Sequence, residues 1–190
     1  MALAPPGQLS RFAGVKVMVL PTQSVQSDER PDWRTTSTPD KALLAALDSA
    51  VETALVQRGL QSSWVFPAAL QRSAKRNPTY LTDPYAMQAL ASVRLALRKP
   101  QDPLSEPFAS QLRALAGVND ARYALIPLVF RFEAADGAGD ARAFLRAVII
   151  DARAAQVVWT GEVASVPQRE YSRSVLASVA EHVADLVVPR

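Results

Sequence analysis

The chain has no cysteine and a single histidine, His182. That excludes disulfide scaffolds, thiolate zinc sites, cysteine nucleophiles and any metal site that needs two imidazoles. No apolar run reaches the roughly 18 residues a membrane-spanning helix requires. Only seven glycines occur, and no glycine-rich phosphate cradle is among the places they fill. Asp136-Gly-Ala-Gly-Asp140 is the nearest approach, and it reads as a turn whose acids would repel phosphate. Charge of one sign is equally short. The net charge is +3, too small to mark a nucleic-acid protein unless the cations cluster.

What remains is the composition of one globular domain, with 49% apolar and 21% charged residues in 190. The cations do gather between Gln71 and Lys99, where Arg72, Lys75, Arg76, Arg94, Arg98 and Lys99 meet only Asp83. Tyr80 and Tyr85 lie within that stretch, but it lacks the alternating aromatic and glycine pattern of a strand-binding sheet.

The opening, Met1-Ala-Leu-Ala-Pro-Pro-Gly7, shows no basic n-region and no sustained apolar h-region. Residues 1–13 read as an amino-terminal tether to a single α/β domain over 14–190. Val15–Leu20 is a buried first strand stopped by Pro21. Residues 22–39 turn polar and form a long loop around Trp33. Asp40 reads as the N-cap of a helix with Leu43, Leu47, Val51 and Leu55 at i+4 spacing and Gly59 at C′. Leu60–Phe66 reads as a strand. A proline-rich helical insert over 67–107 follows, with helices to about Arg76 and from Tyr85 to Arg98, and Ser105–Ala116 is a further helix closed by Gly117.

Arg122–Glu133 is β-rich, with Pro127 implying a bulge or an edge. The residues Ala134–Asp140 form a hairpin loop. Arg142–Asp151 and Gln156–Ser165 complete an antiparallel meander, and Ser172–Leu186 is the last helix. The expected fold is therefore α+β, an α/β sandwich. It holds a mixed sheet of about five strands with an antiparallel carboxy-terminal meander, and helices packed on it.

Catalytic chemistry finds little purchase. His182 is the one candidate base, it sits beside the apolar stripe of the last helix, and no Gly-x-Ser-x-Gly elbow precedes a helix. Asp28, Glu29 and Asp32 are interleaved with Arg30 and Arg34 and read as a solvated ion-pair cluster. Asp136 and Asp140 offer too few oxygens for calcium. No catalytic, metal or cofactor residue is assigned. Isolated aromatics are the better hint: Trp33 in its polar loop, and Tyr80 and Tyr85 beside the proline-rich break, either tuck back or anchor a partner. Trp64 and Trp159, inside strands, read as core.

Four segments carry a family likeness: Val19-Leu20-Pro21, Arg58-Gly59-Leu60, Ala116 to Leu125, and Asp151 to Trp159. In that order the chain resembles the bacterial envelope lipoprotein group that includes the curli-secretion protein CsgG, the TolB amino-terminal domain and the LpoB-type activators of penicillin-binding proteins. Ala154-Ala155 stands where that group usually has Thr-Gly, and Pro127 where it often has Gly. No membrane-spanning hairpins are seen, so pore formation does not carry over.

The resemblance implies a non-catalytic, periplasmic, membrane-associated accessory or scaffold subunit that docks by protein contacts onto an envelope complex. The expected partner-binding residues are Trp33, Arg34, Arg72, Arg76, Tyr80 and Tyr85. The alternative is a cytoplasmic module that binds a small ligand or nucleic acid through the basic insert.

Overall fold

The structure, a computed structural model, describes residues 3–27, 39–99, 102–134, 140–169 and 171–190. Among the described residues six strands make one open mixed sheet: β1 (Val17–Val19), β2 (Ser24–Ser27), β3 (Trp64–Val65), β4 (Tyr123–Ala134), β5 (Ala141–Asp151) and β6 (Gln156–Ala164). Five helices pack on it: α1 (Asp40–Gln57), α2 (Pro67–Arg76), α3 (Ala89–Arg98), α4 (Phe108–Val118) and α5 (Arg173–Val187). The expected α+β class holds.

The strand order is β3-β1-β4-β5-β6, with β2 also paired to β4. β1 lies parallel to both β3 and β4, while β4, β5 and β6 form the antiparallel meander. β4 is long enough to serve two parallel neighbours on one edge. Tyr123, Ala124 and Leu125 pair with β1, and residues 129–132 pair with β2. Between them stands Pro127, which has no amide to donate, and the register with β5 slips there. The predicted bulge is therefore real, and it sits opposite the break between β1 and β2. Gln23 N closes the gap by donating to Pro127 O at 3.0 Å.

That sixth strand corrects the reading of 22–39 as a loop throughout. Ser24–Ser27 has only Val25 as an apolar residue, so it carries no hydrophobic alternation. Pairing to the second half of β4 makes it a strand.

Each face of the sheet has its own core. Leu43, Leu47, Val51 and Leu55 of α1 and Val175, Val179 and Val183 of α5 cover one face. Leu70 of α2, Val93 of α3 and Leu112 of α4 cover the other. Arg58, just beyond α1, clamps the first pair: it donates to Glu181 at 3.0 Å, to Asp185 at 2.7 Å and to Val188 O. The stretch read as a tether is docked on the same face. Leu9 and Phe12 are buried, Ala4 N donates to Glu162 O, and Leu9 N donates to Leu186 O.

Local chemistry moves several boundaries. Asp40 is the first helical residue and Pro39 the N-cap. Leu60–Ser62 is a 3-10 turn, which leaves only Trp64–Val65 as strand. The helix read from Tyr85 is interrupted: Pro84–Ala86 is a 3-10 turn, and α3 starts afresh at Ala89. Gly59 does take the left-handed C′ position, with φ 81°. Gly117 does not close α4; Asp120 takes the left-handed position, with φ 50°. Ala121 N then reaches back to Ala116 O, and an aspartate tolerates that conformation better than most residues.

The β5–β6 turn is held by Asp151, which accepts from the amides of Arg153 and Ala154 and from Arg122. Burial opposes its charge, but those hydrogen bonds together outweigh it and bring the carboxyl below its ordinary range. Ala155 adopts φ 52° where a glycine would be at ease. Ala155→Gly is expected to shift Tm by less than about 2 °C. The relieved strain of about 1 kcal/mol nearly cancels the loss of a buried methyl. Ala155→Val, branched in the same conformation, is expected to lower it by several degrees in the same thermal melt.

Candidate functional site

Two surfaces, one exposed and one recessed, meet at Tyr85. The exposed one begins on α2, where Arg72 and Arg76 lie one turn apart and both face solvent. The chain then turns sharply. Tyr80 N and Leu81 N donate to Asn77 O, and Asn77 Nδ2 donates to Ser73 O. Asp83 locks the next turn by accepting from Tyr85 N and from Gln71 Nε2. Leu81, Pro84 and Met87 point inward, which leaves Tyr80 80% exposed and Tyr85 53% exposed. Arg72, Arg76, Tyr80 and Tyr85 thus all stand exposed on one pinned segment, from α2 to the 3-10 turn. Trp33 and Arg34 lie outside the described residues.

The recessed surface was not foreseen. After β1 the chain passes to α1 on one face of the sheet, and after β3 it passes to α2 and α3 on the other. Divergent crossovers of this kind open a crevice beyond the carboxyl ends of parallel strands. Here the crevice is a groove of about 810 Å³, lined by Thr22 and Gln23 beyond β1, by α1, and by Tyr85 to Arg94. Its volume falls in the range of ligand sites.

Asp48, on α1, is fixed at one wall. Its Oδ1 accepts from Thr22 N at 2.9 Å and from Thr22 Oγ1 at 2.6 Å. Both bonds fall on one oxygen, so Oδ2 keeps its acceptor capacity. Burial pushes the Asp48 carboxyl above its ordinary range, the Thr22 hydrogen bonds oppose that, and the neighbouring Glu52 adds to the rise. Gln23 ties the opposite wall by accepting from Ala89 N, at the first turn of α3. Burial and the charges of Asp48, Asp83 and Glu52 also raise Tyr85, so its phenol stays protonated. The only sequence signal for this site was an acid beside the core stripe at Leu47, one helical turn after Leu44.

A carboxyl whose folded pKa is raised binds its proton more tightly in the native state. Its contribution to stability therefore falls as pH rises through the window above 3.8. Asp48→Asn keeps an acceptor for Thr22 and removes the charge. It is expected to hold or raise Tm at pH 7, with the advantage fading toward pH 4. A fall of more than about 2 °C at pH 7 would contradict this.

Other candidates resolve as structural. His182 Nδ1–H donates to Ala164 O at 2.6 Å, tying α5 to β6. Trp64 is buried, and its Nε1 donates to Phe12 O at 3.2 Å. Trp159 corrects the core reading: it is half-buried on the edge strand, its ring lying over Gly161, where any Cβ would clash with the indole. Among the described residues no three acids or histidines converge as metal ligands. No described helix is long and apolar enough to cross a membrane.

No protein-family profile matches the sequence, and no curated protein matches it. Solved structures do show similarity. PelC from Paraburkholderia phytofirmans, solved as a dodecamer, is 15% identical with a TM-score of 0.45, over 97% of this chain and 94% of that one. The LpoB carboxy-terminal domain from Salmonella enterica is 14% identical with a TM-score of 0.41, over 85% and 84%. Lipoprotein GNA1162 from Neisseria meningitidis is 14% identical with a TM-score of 0.40, over 89% and 94%.

Proposed function

We propose that this protein is a non-catalytic accessory subunit of the bacterial cell envelope, facing the periplasm and docking by protein contacts onto a membrane-associated assembly. The observation that carries the reading is the pinned segment from α2 to the 3-10 turn. It holds Tyr80 and Tyr85 out in water and exposes Arg72 and Arg76 on the same segment. A solvated tyrosine ring gives a monomer little, whereas tyrosine and arginine supply most of the energy at the centre of protein interfaces. The hydrogen bonds of Asn77 and Asp83 pre-form that surface, which lowers the entropy lost on docking. The envelope setting is supported by the motifs from Val19-Leu20-Pro21 to Trp159.

Affinity purification of the tagged protein from gently solubilised membranes of its host tests the reading. Stoichiometric recovery with envelope or integral-membrane subunits is expected. Recovery from the soluble cytoplasmic fraction, alone or with nucleic acid, would overturn it in favour of a cytoplasmic binding module. Tyr80→Ala is expected to leave Tm unchanged within about 1 °C while weakening partner binding at least about fivefold.

A further inference from the structure

We propose that the groove between α1 and α3 receives a short extended peptide segment of the docking partner, a basic side chain seated on Asp48 and an acidic one about three residues away. The proposal rests on the accessory reading above and names a second, separate point of contact for it.

The charge layout of the groove selects the occupant. At the Thr22 end stands Asp48, with Glu52 one turn further along α1 and Tyr85 on the rim. Cations stand away from that end on both walls. Lys41 is seven residues back along α1, about 10 Å at the helical rise, and Arg94 is five residues along α3 from the end held by Gln23. Between the charges the lining is mostly apolar, with Leu44, Ala45, Met87, Leu90 and Ala91, and Gln88 as its polar member. A simple cation would meet Lys41 and Arg94, and a simple anion would meet Asp48. A segment of opposite end charges with an apolar middle satisfies all three. In an extended chain, side chains three residues apart are about 10 Å apart and point to opposite sides, so a basic one turned to Asp48 on α1 leaves the acidic one facing Arg94 on the α3 wall.

Continuity with the exposed surface favours a polypeptide over a free metabolite. Tyr85 belongs both to the groove rim and to the docking segment. A partner held at Tyr80 and Tyr85 therefore brings its own chain to the groove mouth. Asp48 suits the same use, because its carboxyl lines the groove and both Thr22 bonds fall on Oδ1, which leaves Oδ2 able to accept a charge-assisted hydrogen bond.

The test is a titration of the isotope-labelled whole chain, followed by amide NMR shifts, with acetylated and amidated tetrapeptides. Lys-Leu-Leu-Glu is the probe; Lys-Leu-Leu-Lys, Glu-Leu-Leu-Glu and Lys-Ser-Ser-Glu are the controls. The probe is expected to shift the amides of Leu44, Asp48 and Met87 to Ala91, and to bind at least about fivefold more tightly than each control. Asp48→Asn, which keeps the Thr22 contacts, is expected to remove most of that preference.

No shift at the groove, equal response to all four peptides, or an unchanged preference in Asp48→Asn would overturn the proposal. If the groove stays silent while the protein still co-purifies through Tyr80, the accessory reading stands without it. If the peptides bind but no envelope partner is recovered, the accessory reading fails and the groove's specificity survives.

Discussion

Replacing Glu162 with alanine is expected to cost about 3 kcal/mol of folding stability, seen as a fall in Tm of about 6–12 °C. Glu162 is 3% exposed on β6, and both its oxygens accept from Arg131 on β4. The fork of the guanidinium matches the carboxylate, a geometry that adds direction to charge. The Glu162 hydrogen bonds hold Arg131 more firmly protonated; burial opposes them, and Glu133 adds a weaker contact. The bridge crosses β5, where Arg146 stands opposite Glu162 in the register, so it braces the distal half of the meander.

Removing Glu162 empties a buried site on β6 and leaves the partly buried Arg131 guanidinium with Glu133 and the Phe144 ring in place of its fork partner, which costs more than the pair itself contributes. Two further variants separate these quantities. Glu162→Gln keeps one acceptor oxygen for the guanidinium, its amide N–H facing the second donor, and is expected to lose about half as much. Arg131→Met with Glu162→Leu removes both charges and is expected to recover most of the stability. An alanine variant as stable as the wild type would show that the bridge is solvated.

Trp64→Ala is expected to cost about 4 kcal/mol in urea denaturation. The ring is 3% exposed, packs with Phe12 and Leu60, and donates its indole N–H to Phe12 O. It therefore ties the docked amino-terminal stretch to the edge of the sheet. Losing it empties a large volume and takes one of two donors, the other being Val15 N, from the Phe12 carbonyl. Trp159→Ala is the informative contrast. That ring is half-buried over Gly161 on the opposite edge, so its loss is expected to cost only about 1–2 kcal/mol. Equal costs at the two positions would contradict the burial difference.

Long-period patterns made most of the fold legible. The i+4 leucines of α1, the alternation of the meander and the stripe from Val175 to Leu186 each bury an apolar face, and each stands where the sequence places it. Misreadings fell where tertiary pairing or a single backbone conformation decides. β2 is polar and is a strand only because β4 outruns β1. Leu60–Ser62 reads as strand by composition but coils into a turn after Gly59. Asp120, not Gly117, supplies the left-handed residue that ends α4. The docked amino-terminal stretch reads as a tether because its larger apolar residues, Met1, Leu3, Leu9 and Phe12, sustain neither a strand nor a helix period.

The site was half legible for the same reason. Tyr80 and Tyr85 are conspicuous as aromatics among prolines and arginines, and the structure leaves them in solvent. The groove depends on Thr22, Asp48 and Ala89 converging from three distant segments. No local spacing encodes that meeting.

The most direct test of the accessory role places a photo-crosslinking p-benzoylphenylalanine at Tyr80 in living cells, with the same group at Val166, a 51% exposed position beside α5, as the comparison. The account predicts a single discrete adduct with an envelope subunit from Tyr80 and none from Val166. Equal, diffuse labelling from both positions, or adducts only with cytoplasmic proteins, would contradict it.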